Sequence, residues 1–232
     1  MVTSIRALYV GRNARVVEQL RTLFQAKTIA ANDDVDGEAY RLDLNTASNQ
    51  KTALAMMRKQ PPSIIFVETD SKPNSRLRFC EMARYRLPTA VLLSVSKSAP
   101  DTPFAFGGHL LVPIEYEPAL KLIRHICLEC ADYRLQQGHL TLNVATRTVS
   151  TPDGRYHMTP KQCALLRVLM ERAGEVVTRA ELMKRIWDTD FLDDTRTLDV
   201  HIRWLRERIE PEPSTPTYLL TVRGIGYQLA FP

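Results

Sequence analysis

The residues best suited to chemistry lie in one stretch of the chain, 194–209, whose sequence is DTRTLDVHIRWLRERI. Arg196, Val200, Arg203 and Glu207 recur at helical spacing, so a helix brings them to one face. Arginine binds guanine edges or phosphates, and valine can contact a thymine methyl group. The pattern favours a helix that reads the major groove of a duplex, whereas a solvated charged face is the commoner explanation of such spacing taken alone.

The other side of this stretch predicts how the helix is held. Asp194 or Thr195 can cap its start, and Pro211 ends it. Its apolar residues recur at the spacing of an amphipathic helix that buries one stripe. They are Leu198, Ile202, Leu205 and Ile209. The arginines are therefore expected on the outer face.

Composition sets broad limits. The chain has 232 residues, 44% of them apolar and 25% charged, which suits two globular domains. Residues 1–138 carry 18 Lys and Arg against 14 Asp and Glu, and residues 139–232 carry 13 against 12. Net charge therefore gives no argument for nucleic acid, and only the clustering of arginines does. Without an apolar signal stretch or a membrane-spanning run, we expect a cytoplasmic protein with reduced cysteines.

The first half alternates between predicted strands and helices. Strands are expected at 5–11, 40–47, 63–68, 89–94 and 109–112. Helices are expected at 13–24, 50–59, 76–85 and 118–136, with a polar surface loop at 27–38. This order predicts a five-stranded parallel sheet with helices on both faces. Residues 95–108, between the last two strands, hold two prolines and two glycines and are expected to carry a truncated or irregular helix.

This order resembles the flavodoxin-like (βα)5 receiver domain of bacterial response regulators. In that family two acidic residues after the first strand hold Mg²⁺, an aspartate ending the third takes a phosphoryl group, a hydroxyl residue ends the fourth, and a Lys-Pro pair ends the fifth. The matching positions here form a degenerate pocket. They are Gly11, Arg12, Glu68, Ser94 and Val112.

These departures remove the acidic pair that would bind the metal and also the lysine. Glu68 remains as the one obvious carboxylate ligand, with Asp70 as a weaker candidate. Mg²⁺ prefers carboxylate oxygens, and phosphoryl transfer needs charge neutralisation. The resemblance therefore implies a receiver that is not phosphorylated in the usual way, which argues against a histidine kinase partner. Either Arg12 pairs with Glu68 and fills the pocket, or neither residue has a role.

Two cysteines, Cys127 and Cys130, form a CxxC pair inside the predicted last helix. A single pair is a weak metal or redox signal, because compact thiols mostly pack as small apolar groups. The apolar run of the same helix can carry a dimer contact or simply pack on the sheet. No metal or cofactor is expected.

The second half begins with alternating short strands over 139–158 and then shows two capping boxes, at 159–162 and 178–181. Helices are expected from 160 to about 173 and from 179 to 187, followed by a polar loop at 188–193 and the arginine-bearing helix. A hairpin over 218–222 and 226–230, with Arg223 and Gly224 at its tip, closes the chain.

These segments resemble the α+β winged helix-turn-helix domain of OmpR/PhoB-type response regulators. The shared motifs are MTPKQ at 158–162, GEVVTR at 174–179, IW at 186–187, TRTLDVHIRWLR at 195–206 and TVRGIGY at 221–227. The resemblance covers essentially all of 139–232. It implies that 194–209 is the recognition helix and that Arg223 enters the minor groove, where A·T-rich sequence attracts arginine.

The implied roles divide into two groups. Base-reading or groove-facing residues are Arg196, Val200 and Arg203, whereas Thr197, His201 and Arg206 contact phosphates or pack near them. Trp204 flanks the groove-facing side and is counted with the DNA-binding residues. His201 is equally well explained by a structural hydrogen bond. Trp187 is interpreted as an aromatic at the edge of the core, although relatives contact RNA polymerase or the DNA backbone there.

The sequence thus predicts a receiver-like domain at 1–133, a linker at 134–138 and a winged helix-turn-helix domain at 139–232. The expected function is phosphorylation-independent, sequence-specific binding of direct-repeat double-stranded DNA by a homodimer, with RNA polymerase as a further partner. Two alternatives stay open. One is a small-molecule or redox sensor that uses the receiver-like domain, including Cys127 and Cys130. The other is residual phosphoacceptor activity at Glu68; no motif supports other catalysis.

Overall fold

The computed structural model of the chain describes residues 3–25, 29–30, 39–189 and 196–231. The chain divides into two compact units, 1–130 and 131–232, which are described separately. Across the described ranges, no helix is long and apolar enough to cross a membrane.

A six-stranded sheet forms the centre of the first unit. Its strands are β1 (Thr3–Val10), β2 (Ile29–Ala30), β3 (Ala39–Ala47), β4 (Ile64–Glu68), β5 (Val91–Ser96) and β6 (Gly108–Leu111). The spatial order is β2-β3-β1-β4-β5-β6, and only β2 runs antiparallel to its neighbour. The five parallel strands have the flavodoxin-like order and confirm the predicted sheet. The short edge strand β2 was missed, because it lies within the stretch that was predicted as a polar loop.

Four helices accompany this sheet: α1 (Ala14–Gln25), α2 (Gln50–Lys59), α3 (Pro73–Arg86) and α4 (Tyr116–Arg124). Strand β5 is buried along its whole length, as strands covered on both faces are. Residues 97–107 contain no helix, which confirms the irregular connection. Arg84 of α3 holds this segment, with its guanidinium carbon 4.0 Å from the Phe104 ring centroid.

The predicted long helix over 118–136 and the predicted linker over 134–138 were both wrong. Helix α4 passes into a π-helical turn at His125–Glu129, and Cys130 is extended. Residues Arg134–Gln137 then form strand β7, which pairs with the following strand around Gly138 at φ +56°. The strand pairing overrides helical periodicity here. The division between units accordingly falls after Cys130, and the predicted linker is part of the second unit.

The second unit has two antiparallel sheets. The first contains β7, β8 (Leu140–Asn143), β9 (Thr148–Thr151) and β10 (Gly154–His157) in the order β10-β9-β8-β7. The second contains β11 (Val176–Thr178), β12 (Leu219–Val222) and β13 (Gly226–Leu229) in the order β11-β13-β12. The predicted hairpin is confirmed as β12 and β13, whereas β11 was not predicted.

Three helices share the core of this unit with the sheets: α5 (Pro160–Glu171), α6 (Arg179–Trp187) and α7 (Arg196–Ile209). The first capping box is confirmed, since Thr159 and Gln162 exchange hydrogen bonds in both directions. In the second, the Thr178 hydroxyl accepts from the amide of Glu181 at 3.1 Å. The Glu181 carboxylate instead pairs with Arg172 and Arg185, at 2.7 and 3.0 Å, so that box is only half formed.

Candidate nucleic-acid interface

Helix α7 buries one side. Its predicted apolar stripe belongs to the core of the second unit, and each of its members is 3% exposed or less. The helix ends at Ile209, two residues before Pro211, as predicted. The stripe therefore fixes the rotation of α7 about its own axis. The predicted caps, Asp194 and Thr195, and most of the loop before them, at 190–193, lie outside the described residues.

The opposite side of α7 is exposed and basic. Arg196, Thr197, Val200 and Arg203 all lie there, and the Arg203 side chain is 80% exposed. Its Nε is 3.1 Å from Oε1 of Glu207, one turn further on. An exposed i,i+4 pair of this kind contributes only about 0.3–0.5 kcal/mol. Arg203 can therefore exchange its partner for a phosphate or a base edge at small cost.

Arg206 lies at the side of α7, where it binds strand β12. Its Nε and Nη2 donate to the Leu219 carbonyl at 3.0 and 2.8 Å, and Nη2 also donates to Oγ1 of Thr221 at 2.8 Å. A half-buried guanidinium with these acceptors orients the helix against the hairpin. Of the two predicted roles, packing near the interface fits this geometry.

His201 lies between two tryptophan rings. Its ring centroid is 5.1 Å from that of Trp187 and 5.1 Å from that of Trp204. Burial, and secondarily the Lys161 charge, lowers the pKa of His201, and its buried Nδ1 has no hydrogen-bond partner among the described residues. Trp187 packs against the core, as expected, whereas Trp204 is 42% exposed beside the arginine face.

The hairpin tip forms the second exposed element. Arg223 is exposed in the turn between β12 and β13, and Gly224 has φ +74°, a conformation that favours glycine. Ile225 follows with 52% exposure. Its carbonyl accepts from the Arg179 amide at 3.1 Å, which holds the turn against the start of α6. The tip thus presents a cation and an apolar side chain together.

Three polar residues that connect these elements were missed in the sequence. The Asp199 carboxylate accepts hydrogen bonds from the Tyr227 hydroxyl and from the Arg179 guanidinium, which also donates to Tyr227 at 2.9 Å. They join the first turn of α7, strand β13 and the start of α6. The available signal was Asp199 itself, because it is the one acidic residue in the first turn of an arginine-rich helix.

In the first unit, Glu68 is held at the end of β4 by three donors. Its Oε2 accepts from the Arg12 amide at 2.6 Å, the Tyr9 hydroxyl at 3.1 Å and the Asn13 amide at 3.4 Å. Gly11 provides the space for these contacts. A Cβ at this position would lie 2.4 Å from Oε2 of Glu68 and 2.3 Å from the Tyr9 hydroxyl oxygen. Burial, and then the Glu68 charge, raises the pKa of Tyr9, so its hydroxyl stays a donor.

Arg12 does contact Glu68, but the predicted ion pair between their side chains was wrong, because the backbone amide of Arg12 makes the contact. The guanidinium Nε donates to the Ser48 carbonyl at 3.3 Å, while the backbone amide binds the carboxylate. The turn from β1 into α1 directs its amides toward the end of β4, which places an anion at the start of a helix.

The other two predicted pocket residues, Ser94 and Val112, make contacts that do not involve Glu68. Ser94 is 1% exposed, lies opposite Val67 in the sheet and contacts Nδ1 of His109 at 2.7 Å. Strand alternation therefore puts Ser94 and Glu68 on opposite faces of the sheet. Val112 follows β6, and its amide donates to the carbonyl of Ser96 at 3.0 Å. Only Gly11, Arg12 and Glu68 are brought together.

The two cysteines of the CxxC pair have different surroundings. Cys127 is fully buried, and burial raises the pKa of its thiol to about 12, whereas Cys130 is half-buried. A thiol with so high a pKa is protonated at neutral pH and is a poor nucleophile. The geometry gives Cys127 the character of an apolar core residue.

The second unit, with its exposed basic helix and basic hairpin tip, has the fold of a winged helix-turn-helix domain, and the first has that of a receiver. Residues 153–229 match the family model for the C-terminal part of transcriptional regulatory proteins. The sensory transduction protein RegX3 of Mycobacterium leprae is 42% identical over 101 residues, which cover 44% of this chain and 51% of RegX3. The chain thus spans about half the length of this relative.

A longer match covers both units. A probable transcriptional regulatory protein of Picosynechococcus sp. is 30% identical over 203 residues, or 78% of this chain and 80% of that protein. The crystal structure of DrrB, a Thermotoga maritima OmpR/PhoB homolog, aligns over 98% of this chain and 100% of DrrB with 19% identity and a TM-score of 0.43. On the sequence matches, the chain belongs to a family of transcriptional regulatory proteins.

Proposed function

We propose that this protein is a transcriptional regulator that binds specific sequences in double-stranded DNA through α7 and the β12–β13 hairpin. The observation that carries the proposal is the exposed basic face of α7 opposite its fully buried apolar stripe. A helix of this kind fits the major groove, where arginine reads guanine and valine contacts thymine. Arg196, Val200 and Arg203 read base edges, and Thr197 contacts a phosphate.

The half-buried members of the interface orient the exposed ones. Arg206 is bound to β12, and His201 is enclosed by two tryptophans, so both act mainly by positioning α7. Trp204 borders the groove-facing side and packs against the DNA backbone. Arg223 enters the adjacent minor groove, where narrow A·T-rich sequence concentrates negative potential.

Selection of bound DNA from a random pool tests this proposal directly. A recovered motif that contains guanine steps beside an A·T-rich flank is the expected result, and recovery of the pool without enrichment would reject the proposal. The spacing of repeated half-sites in the selected sequences also tests whether a dimer binds direct repeats.

Homodimerisation is the second part of the proposal. Large apolar side chains are exposed on the first unit, including Leu111 at 57% and Tyr116 at 39%, near the junction of β6 and α4. Exposed apolar side chains in one region favour association. Sedimentation equilibrium of the full chain, with and without Leu111→Glu, measures the contribution of this region. A dimer that is unaffected by the substitution would place the contact elsewhere.

Phosphorylation independence is the third part. Its support is the environment of Glu68, whose Oε2 already accepts three hydrogen bonds in a site without the family's lysine. A histidine kinase partner is therefore not expected. Intact-mass measurement after incubation with acetyl phosphate and Mg²⁺ separates this view from residual phosphoacceptor activity at Glu68, because a gain of one phosphoryl group would establish the latter.

Redox control through Cys127 and Cys130 is the remaining alternative. The burial of Cys127 opposes it, so we expect oxidation by hydrogen peroxide to leave DNA affinity unchanged. A shift that disappears in Cys130→Ser would favour the sensor instead. We further propose RNA polymerase as a partner and the cytoplasm as the location, which co-purification from cells and fractionation would test.

A further inference from the structure

A cavity of about 280 Å³ opens to solvent on the first unit, and its polar lining residues are all exposed: Arg6, Asn45, Lys59 and Gln60. It is bounded by strands β1 and β3 and by the C-terminal end of α2, with Leu8, Met56 and Pro62 as its apolar lining. Its volume lies just below the range of about 300–1,000 Å³ that is common for small-molecule pockets. An occupant would have to be small, such as one aromatic ring or a short acyl chain.

Two cations line the same cavity. Arg6 reaches it from β1 and Lys59 from the last turn of α2, with the amide side chains of Asn45 and Gln60 beside them. Within the part of the chain that the structure describes, neither cation lies within ion-pair distance of a carboxylate. Asp43, opposite Arg6 on β3, is not among the lining residues. The lining itself therefore contains two cations and no carboxylate, and Asp43 lies beside it on the face of the sheet that Arg6 occupies.

A buried hydroxyl on the same face of the sheet also lacks a partner. Ser63 is 1% exposed, and its Oγ makes no hydrogen bond within the described residues. Its amide donates to the Arg6 carbonyl at 2.8 Å, so Ser63 stands level with Arg6 and shares its face of the sheet. Ser63 is not one of the residues that line the cavity, so the ligand site does not depend on its hydroxyl.

We propose that this cavity binds a small anion with an apolar body, such as an aromatic or short-chain carboxylate. The apolar part lies against Leu8, Met56 and Pro62, and the carboxylate lies between Arg6 and Lys59. Arginine and lysine together give charge-assisted hydrogen bonds to a carboxylate. The site shares no residue with the surroundings of Glu68 or with the proposed DNA-binding elements, so it is a separate ligand site in the receiver-like unit.

Titration of the full chain with 4-fluorobenzoate, followed by ¹⁹F NMR, tests the proposal. Saturable binding is expected, and 4-fluorobenzyl alcohol, which has no charge, should bind at least about tenfold more weakly. The double variant Arg6→Gln/Lys59→Gln should weaken benzoate binding by a similar factor. The matched control Lys51→Gln/Arg58→Gln removes two exposed charges of α2 that do not line the cavity and should leave binding unchanged.

Met56→Trp provides a second measurement, because the larger side chain fills the cavity and should abolish binding in a protein that still melts cooperatively. The proposal is overturned by an absence of saturable binding, by equal affinity for the alcohol, by equal weakening in the control pair, or by full binding in Met56→Trp. DNA binding by the same preparations is measured in parallel, so failure of this site remains distinguishable from failure of the proposed function.

Discussion

The Asp199 carboxylate accepts a hydrogen bond from the Tyr227 hydroxyl, which joins the first turn of α7 to strand β13 of the hairpin. Arg179 binds both groups from the start of α6. The proposed major-groove and minor-groove elements are thus connected by side chains as well as by the shared core. Loss of this connection should leave each element folded but change their relative position.

Tyr227→Phe should lower the free energy of unfolding by about 0.5–1.5 kcal/mol for each of the two hydrogen bonds that are lost, the one to Asp199 and the one from Arg179. Urea unfolding of Tyr227→Phe, Asp199→Ala and the double variant measures the coupling between the two side chains, which we expect to be at least about 0.5 kcal/mol. DNA affinity should fall most for sites with an A·T-rich flank. Strictly additive effects on unfolding would contradict the connection.

Arg203→Ala should relax the sequence preference at one base step and cost roughly 1–3 kcal/mol of binding free energy. The reason is that Arg203 is highly exposed and held only by a weak pair with Glu207. Gel-shift titrations on the selected site and its single-base variants provide the measurement. Glu207→Ala serves as the control and should not weaken binding; equal losses on specific and nonspecific DNA would make Arg203 a phosphate contact.

Arg223→Ala should weaken binding to A·T-rich flanks by about tenfold, or ~1.4 kcal/mol, and affect G·C-rich flanks less. Arg223 is exposed at the tip of the hairpin and is not part of the hairpin core. Fluorescence anisotropy with the two kinds of flank tests the difference. Arg155→Ala, which changes another exposed arginine of the same unit, is the comparison; an equal loss for both flanks would argue against minor-groove entry.

Gly11→Ala should destabilise the first unit by about 1–3 kcal/mol, because its Cβ overlaps the Tyr9 hydroxyl and the Glu68 carboxylate. In a Glu68→Ala background the penalty should shrink, since one of the two obstructing groups is gone. Urea unfolding of the four proteins gives the coupling free energy. An unchanged penalty in that background would show that Glu68 does not occupy the space beside Gly11.

The stability of the second unit should fall as the pH is lowered from 7.5 to 5.5. Burial holds the pKa of His201 below its ordinary value, so the unfolded chain binds the proton first and unfolding is favoured as the pH falls through 6.5. His201→Phe keeps an aromatic ring between the two tryptophans and should reduce this dependence. The first unit has a pH dependence of its own, because burial also lowers the pKa of His109 there; an unchanged pH profile for the second unit would contradict the assignment to His201.

Much of the fold could be predicted because it depends on local patterns. The buried stripe of α7, the cap at Thr159, the hairpin and the five parallel strands all follow from the spacing of apolar and turn-forming residues over short stretches. The basic face of α7 follows from the same periodicity, since burying one side of a helix exposes the other. The sequence by itself therefore determined these elements and which face of α7 is available for binding, because both depend on short-range spacing.

The tertiary structure decided what depends on residues far apart in the chain. The contact between Asp199 and Tyr227 spans 28 residues, and that between the Arg12 amide and Glu68 spans 56. The sequence indicated that Arg12 and Glu68 meet, but it suggested the guanidinium and not the backbone amide as the contacting group. The charge of a side chain can be read from a sequence, whereas the direction of a backbone amide cannot. Residues 134–137 became a strand for a related reason: pairing with β8 supplied hydrogen bonds that helical periodicity alone could not anticipate.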